Sequence, residues 1–115
     1  MMDTYDELSR AKYAALFYLS RRALTERQLR EKLEKKEYSS GIIDETLEYL
    51  KELGYIDDRD YAQRYAKDAA EIKKHGISRI RLDLRKKGIS PEDIDEALQE
   101  LDLDTADSLR SLIEE

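Results

Sequence analysis

The sequence lacks several residue types, and each shortage excludes a kind of site. It contains no cysteine, which excludes disulfides, thiolate metal ligands and a cysteine nucleophile. It contains one histidine, His75, which stands beside a glycine and is interpreted as a helix-end residue rather than a ligand. No glycine-rich phosphate loop and no Ser/His/Asp spacing suited to catalysis is present. We therefore expect no enzymatic activity, no metal and no cofactor.

The chain also lacks long apolar runs and loop-forming residues. No stretch approaches the ~20 apolar residues of a membrane span, and the start MMDTYDELSR is unlike a signal peptide. With no cysteine to oxidise, the sequence fits a reducing compartment, so we expect a cytoplasmic protein without membrane association. Only four glycines and one proline occur, and 42% of the residues are charged. This composition is typical of helices with solvated faces and predicts an all-α fold.

The charged residues are arranged in blocks of alternating sign. The net charge is −6, which by itself argues against a polyanionic partner. However, residues 73–87 contain seven basic side chains and one acid, and residues 21–36 contain seven bases and three acids. Residues 37–72 and 92–115 are acidic, with ten acids each. Blocks of this size can place one basic surface on an acidic molecule.

Apolar side chains recur every three or four residues, which predicts a series of helices. Helix 1 is expected over Thr4–Ser20, with Tyr13 and Phe17 on the side opposite its buried stripe, where they would contact a second neighbour. Helix 2 is expected from Thr25 to Lys36, helix 3 from Ser39 or Ser40 to Gly54, helix 4 up to His75–Gly76, and helix 5 over Ser78–Lys87. Helix 6 begins at Ser90–Pro91, and a seventh helix covers residues 104–114. The residues expected to face inward in helices 3 to 5 include Ile43, Leu47, Leu50, Leu53, Ile72, Ile77, Ile80 and Leu84.

Three carboxylates stand close together between helices 3 and 4, in the segment Gly-Tyr-Ile-Asp-Asp-Arg-Asp. Asp57, Asp58 and Asp60 lack the alternate acids, the central glycine and the distant glutamate of a calcium loop. At a helix start, by contrast, carboxylates accept bonds from unpaired N–H groups and face the positive end of the helix dipole. The cluster is therefore interpreted as a helix cap.

The sequence contains an internal repeat. When Leu29–Leu50 is placed over Ile80–Leu101, ten of 22 positions are identical. With a three-residue shift, Tyr13-Ala14 and Phe17 also match Tyr61-Ala62 and Tyr65. The repeat predicts two three-helix modules, residues 1–54 and 55–102, with residues 103–115 forming the first helix of an incomplete third module.

Three segments together resemble the RecX-type regulatory proteins, which bind RecA recombinase filaments. They are YLSRRALTERQLREKLEKK, LKELGYIDDRDYAQRYA and KKHGISRIRLDLRKKGIS, and the resemblance extends over about residues 8–101. It implies tandem three-helix modules, of which the family usually has three, and no catalytic activity. Glu37 stands where a glycine like Gly88 is usual. The resemblance also implies a monomer that binds a RecA–DNA filament, with possible direct contact to DNA, and restrains strand exchange and ATP hydrolysis in repair and recombination.

The candidate partner-binding surface is helix 5. At 100° per residue, Arg79 and Lys86 point outward and Leu82 stands exposed among the basic residues. An apolar residue surrounded by arginines suits a protein partner better than bare phosphates. Arg81 lies nearer the boundary and is expected to pair with acids. The full set of candidate residues is Lys73, Lys74, Arg79, Leu82, Arg85, Lys86 and Lys87, with Arg21 and Arg22 as a second basic area.

Three other interpretations of the sequence remain open. Runs of charge are usually solvated faces, although the matching face of helix 2 mixes Arg27, Arg30, Glu31 and Glu34 whereas helix 5 has lost its balancing acids. A stand-alone DNA-binding module would also use a basic second helix, but helix 5 lacks Asn or Gln to read bases. A helical-repeat scaffold without a nucleic-acid role would ignore recombinase filaments altogether.

Overall fold

The computed structural model describes the backbone of residues 4–101 and the side chains of residues 7–101. Within that range the chain forms six helices and no strand, which confirms the predicted all-α fold. Five helices have defined bounds: α1 Thr4–Arg21, α2 Glu26–Lys35, α3 Ser40–Glu52, α4 Asp58–Glu71 and α5 Ile77–Lys86. A sixth, α6, includes residues 91–101. The predicted seventh helix and incomplete third module lie outside the described residues.

The chain divides into two compact units, Met1–Asp57 and Asp58–Glu115. In unit 1, α1 packs against both α2 and α3, and α2 packs against α3. In unit 2, α4 packs against α5, and α6 contributes to the same core. The first helix of each unit is buried through alanines, whose small side chains let neighbouring helices approach closely. The buried core residues include Ala15, Leu29, Leu33, Ile43, Leu47 and Leu50 in unit 1, and Ala62, Ala66, Ile80, Leu84, Ile94 and Leu98 in unit 2.

The sequence repeat is also a structural repeat, and a residue in unit 1 is called equivalent to the residue 51 positions later in unit 2. Helices α2 and α5 begin and end at equivalent residues. An ion pair between the second and third helices is also duplicated: Arg30 Nη1 lies 2.9 Å from Asp44 Oδ1, and Arg81 Nη1 lies 2.7 Å from Asp95 Oδ1. The expectation that Arg81 pairs with an acid is thereby confirmed.

The three-residue shift predicted for helix 1 is wrong. The buried Ala11 and Ala15 are equivalent, at 51 residues, to the buried Ala62 and Ala66, so one register serves all three helices. Tyr13 and Phe17 are 77% and 57% exposed, whereas Tyr61 and Tyr65 pack against the core of unit 2. The match between aromatic residue types gave the wrong shift, because the pattern of buried positions, and not residue type, determines how two repeats align. Nor do Tyr13 and Phe17 mediate the contact with a second neighbour, because α2 and α3 both pack against α1 while these rings stay in solvent.

The helix starts follow the predicted capping residues. The Thr25 hydroxyl accepts a bond from the Gln28 N–H at 3.2 Å, and the Gln28 side chain accepts one from the Thr25 N–H at 3.1 Å, which completes a capping box. Ser39 and Ser90 accept bonds from N–H groups three residues on. Asp58 is the first residue of α4 and Asp60 lies in its first turn. The carboxylate cluster therefore lies at a helix start, as predicted.

Three residues expected to face inward are exposed instead. Leu53 is 54% exposed, because Gly54 adopts a φ of 80° and reverses the chain, so that Ile56 closes the core of unit 1. Ile72 and Ile77 are 73% and 46% exposed. Helix α4 ends at Glu71, earlier than predicted. Ile72 directly follows the last residue of α4 and Ile77 is the first residue of α5. Both therefore stand at helix ends, on either side of a turn in which Lys74 has a φ of 60° and the His75 N–H bonds to the Ala69 carbonyl at 2.9 Å.

Candidate partner-binding surface

The outer face of α5 forms a basic ridge with an apolar centre. We call Arg79, Leu82, Arg85 and Lys86 the α5 ridge; all four side chains are exposed. Ile80 and Leu84 are fully buried on the opposite side of the same helix, which orients the ridge toward solvent. Leu82 is 47% exposed and Arg79 keeps 66% of its side chain in solvent. The exposure predicted for Arg79, Leu82 and Lys86 is therefore confirmed, while their role in binding stays a prediction.

A comparison with α2 shows that the ridge is not a requirement of the fold. The residue equivalent to Leu82 is Glu31, which pairs with Arg27 at 3.6 Å, and the residue equivalent to Arg85 is Glu34. Helices α2 and α5 have the same bounds in the repeat and bury two aliphatic residues at equivalent positions. The helix itself therefore needs neither an exposed leucine nor an excess of cations. The acids that neutralise the α2 face have been replaced in α5.

One acid, Asp83, lies beside the ridge and is held by a tyrosine. The Tyr65 hydroxyl donates a 3.0 Å hydrogen bond to Asp83 Oδ2, and Arg79 Nε lies 4.0 Å from the same oxygen. Burial, followed by the hydrogen bond and the charge of Asp83, raises the pKa of the Tyr65 hydroxyl above its ordinary value of 10.0. Since Asp83 is engaged by Tyr65, it neutralises the exposed Arg79 only in part.

The flanking lysines differ in position. Lys73 Nζ and Lys87 Nζ lie 5.7 and 5.2 Å from the centre of the Tyr65 ring, within cation–π distance. Lys87 is half-buried, whereas Lys73 and Lys74 are exposed. The structure thus brings Lys73 and Lys87 together around Tyr65, in the same unit as the ridge. The sequence analysis identified Tyr65 only as the residue matched to Phe17 in the repeat, because a contact between two helices leaves no local pattern.

Arg21 and Arg22 lie in unit 1, where they line a cleft of about 260 Å³ with Tyr18, Leu24 and Lys32. We call this the α1–α2 cleft. The sequence analysis identified the two arginines but missed Lys32 and Tyr18. Lys32 looked like one of several bases on a mixed helical face. Only the packing of α2 against α1 brings it to the end of the first helix.

A second difference between the units lies in the groove between the first and third helices. In unit 1 the groove of about 270 Å³ is lined by Tyr13, Leu16 and Tyr49, with Lys12 Nζ 3.9 Å from the centre of the Tyr49 ring. In unit 2 the equivalent positions are Arg64, Lys67 and Glu100. The same place in the fold is therefore aromatic in one unit and charged in the other.

The described residues offer few other kinds of site. Among residues 4–101, no set of three or more histidines or carboxylates is placed to hold a metal ion. No helix within the same range is long and apolar enough to cross a membrane.

Comparisons with known proteins agree with this architecture. A family model described as "RecX, first three-helix domain" matches residues 11–50, and one described as "RecX, second three-helix domain" matches residues 57–98. A regulatory protein RecX of Clostridium botulinum (strain Eklund 17B / Type B) is 36% identical over 97 residues, which are 84% of this chain and 45% of that protein. One of Chlorobium phaeobacteroides (strain BS1) is 37% identical over 102 residues, 89% of this chain and 66% of that protein.

The fold comparison gives the same answer. The crystal structure of RecX from Lactobacillus salivarius matches with a TM-score of 0.80 at 32% identity, covering 82% of this chain and 61% of that one. The chain spans about half the length of the curated relatives that it matches first. This chain belongs to the RecX family: it contains both family modules in the right order, its relatives are named as regulatory proteins, and a solved structure has the same fold.

Proposed function

We propose that the chain is a non-enzymatic regulator that binds a RecA-type recombinase filament and inhibits its ATP hydrolysis and strand exchange. The observation that carries the proposal is the α5 ridge, an exposed leucine among three cations on a helix whose counterpart in unit 1 has two acids, one base and no apolar residue at the equivalent positions. A partner that binds this ridge has an apolar pocket surrounded by carboxylates. The protein acts as a monomer in the cytoplasm, where recombinase filaments form during repair and recombination.

Its chemistry favours a protein partner over DNA alone. Interface centres combine an apolar anchor with arginine, whereas contacts to phosphate need only charge. Leu82 would have no role against a sugar–phosphate backbone. Because Asp83 lies within 4.0 Å of Arg79, a bare phosphate there would also meet a carboxylate. We therefore assign the ridge to the protein of the filament.

The test is ATP hydrolysis by RecA assembled on single-stranded DNA, measured with increasing amounts of this protein. The variant combines Arg79→Glu, Arg85→Glu and Lys86→Glu, and we expect it to need at least about tenfold more protein for the same inhibition, since each interface pair lost costs one or more kcal/mol. A second variant, Leu82→Ala, removes the apolar anchor without changing charge and is expected to weaken inhibition several-fold.

A matched control separates the ridge from general charge. Lys35, Lys36 and Lys67 are exposed, and changing all three to Glu alters the net charge by the same amount without touching α5. Inhibition close to that of the wild type is expected of this control. Equal inhibition by the wild type and the ridge variant would show that the assigned surface is wrong. If the wild type leaves hydrolysis unchanged, the proposed regulation itself fails for this chain.

A further inference from the structure

The α1–α2 cleft is lined by three cations and by no acid. The ion pairs of unit 1 join Arg27 with Glu31, Arg30 with Asp44, and Lys51 with Glu26 and Glu48. Among the described residues, no carboxylate lies within 4.0 Å of Arg21, Arg22 or Lys32. Three cations around one concave space, without an acid to neutralise them, favour an anionic ligand.

The same cleft is bordered by aromatic rings. Phe17 is 57% exposed, its ring centre lies 5.6 Å from the Arg21 guanidinium carbon, and it meets the Tyr18 ring edge-on at 6.1 Å. Lys32 Nζ lies 5.1 Å from the centre of the Tyr18 ring. Tyr18 forms part of the cleft wall, while Phe17 presents an apolar ring to solvent next to the cations. Aromatic rings beside a cationic groove are the features with which proteins bind unpaired bases.

Unit 2 shows that the fold does not impose this arrangement. The residues equivalent to Phe17 and Tyr18 are Asp68 and Ala69, and the residue equivalent to Lys32 is the acid Asp83. Arg21 is matched by Ile72. The helices have the same register and the same buried alanines in both units. Arg22 has a basic counterpart, Lys73, whereas the other two cations and both aromatic residues of the cleft are specific to unit 1.

From these observations we infer that the α1–α2 cleft binds single-stranded nucleic acid, with one or two phosphates held by Arg21, Arg22 and Lys32 and one base stacked on Phe17. A duplex would not use Phe17, because its bases are already stacked and paired. The α5 ridge carries an acid and an apolar anchor and lacks such an exposed ring. The inference concerns a different unit and a different ligand from the proposed function, and neither depends on the other.

The experiment measures fluorescence anisotropy of a labelled oligothymidylate of about 15 nucleotides, a length that exceeds one such site, without any recombinase present. The cleft variant is Arg21→Glu with Arg22→Glu, and the control is Lys35→Glu with Lys36→Glu, which changes the charge equally on exposed residues at the end of α2. We expect the cleft variant to lose at least about tenfold in affinity and the control to lose less than about twofold. The wild-type affinity should fall with salt at a log–log slope of about −0.7 per phosphate contacted.

The stacking half of the inference has its own readout. The chain has no tryptophan, so Phe17→Trp places a single reporter beside the cleft, and its fluorescence should be quenched by the oligothymidylate and not by inorganic polyphosphate. Phe17→Leu should weaken strand binding about tenfold, as loss of one stacked base does. Circular dichroism checks that each variant keeps its helices; since Phe17, Arg21 and Arg22 are exposed, the substitutions leave the core intact.

Several results would overturn the inference. They are an absence of strand binding by the wild type, an equal loss in the cleft variant and its control, an unchanged affinity in Phe17→Leu, or duplex bound as tightly as single strand. Loss of strand binding in the α5 ridge variant to the same degree as in the cleft variant would also overturn it. A recombinase assay that fails leaves this result unaffected, so the two proposals can be judged separately.

Discussion

Glu37 follows α2 in a left-handed conformation that its side chain disfavours, and replacing it with glycine should stabilise unit 1. Its φ is 65°, and the equivalent residue in unit 2 is Gly88, with a φ of 92°. The hydrogen bonds around the two residues correspond: the Glu37 N–H bonds to the Glu34 carbonyl at 2.9 Å, and the Gly88 N–H bonds to the Arg85 carbonyl at 3.0 Å. The backbone therefore makes the same turn with and without a Cβ atom.

The expected magnitude follows from two opposing terms. A left-handed residue with a Cβ atom costs about 1–2 kcal/mol, and glycine removes this strain. Glycine also gives the unfolded chain more freedom, which lowers the free energy of unfolding by about 0.4–1 kcal/mol. Removing a negative charge from the C-terminal end of a helix adds roughly 0.3–1 kcal/mol. Glu37→Gly should thus raise the free energy of unfolding by about 1 kcal/mol. Urea denaturation followed by circular dichroism measures it.

Two further variants separate strain from charge. Glu37→Ala removes the charge but keeps the strained φ, so it should be less stable than Glu37→Gly by about 0.5–1 kcal/mol. Gly88→Ala introduces the strain into unit 2 and should lower stability by a similar amount. If Glu37→Gly and Glu37→Ala prove equally stable, the left-handed strain is no larger than the entropic cost of glycine and the reasoning is refuted.

Three other substitutions test the fold and the surroundings of the ridge. Thr25→Ala removes the buried hydroxyl of the capping box and should cost about 1–2 kcal/mol in urea denaturation, whereas Thr25→Ser should cost much less; equal losses would contradict the capping role. His75 Nδ1 is buried without a hydrogen-bond partner in the described structure, and the equivalent residue in unit 1 is the buried Leu24. His75→Leu should therefore raise the free energy of unfolding by about 1 kcal/mol, seen as a higher midpoint of thermal unfolding. A lower midpoint would show that the imidazole has a hydrogen-bond partner. Tyr65→Phe should cost about 1 kcal/mol through the lost bond to Asp83. Because the folded-state pKa of Tyr65 is raised, the stabilisation that its protonated hydroxyl gives the fold is complete below pH 10 and falls as the pH rises above that value. The wild type should therefore lose more stability than Tyr65→Phe between pH 9 and 11 in urea titrations. Parallel losses would exclude Tyr65 as the cause.

Local signals in the sequence were enough to predict the helices and most of their ends. Thr25, Ser39 and Ser90 cap helices with their own side chains, and this chemistry needs no distant residue. The errors lie where the chain leaves a helix. Ile72 and Ile77 fit a helical stripe, but they stand just after α4 and at the start of α5, on either side of the turn at Lys74. Lysine has no local preference that would have revealed a left-handed turn.

The candidate surfaces were predictable to different degrees. The exposure of Arg79 and Leu82 follows from the periodicity of a single helix, since Ile80 and Leu84 define its buried side. The α1–α2 cleft forms because α2 packs against α1 and brings Lys32 next to Tyr18. The periodicity within each helix does not show which residues of two helices come into contact. The same limit explains why the bond between Tyr65 and Asp83 was not anticipated.

The duplicated ion pair between the second and third helices has a consequence for how this chain can change. Arg30 with Asp44 and Arg81 with Asp95 tie the same two helices in each unit, while the aromatic and charged grooves show that neighbouring solvent positions have diverged freely. Outer residues can therefore be exchanged between the copies without disturbing the interior. A chain with Glu31→Leu and Glu34→Arg would carry a leucine and an arginine at the places that Leu82 and Arg85 occupy in unit 2, and would present the proposed attachment surface twice.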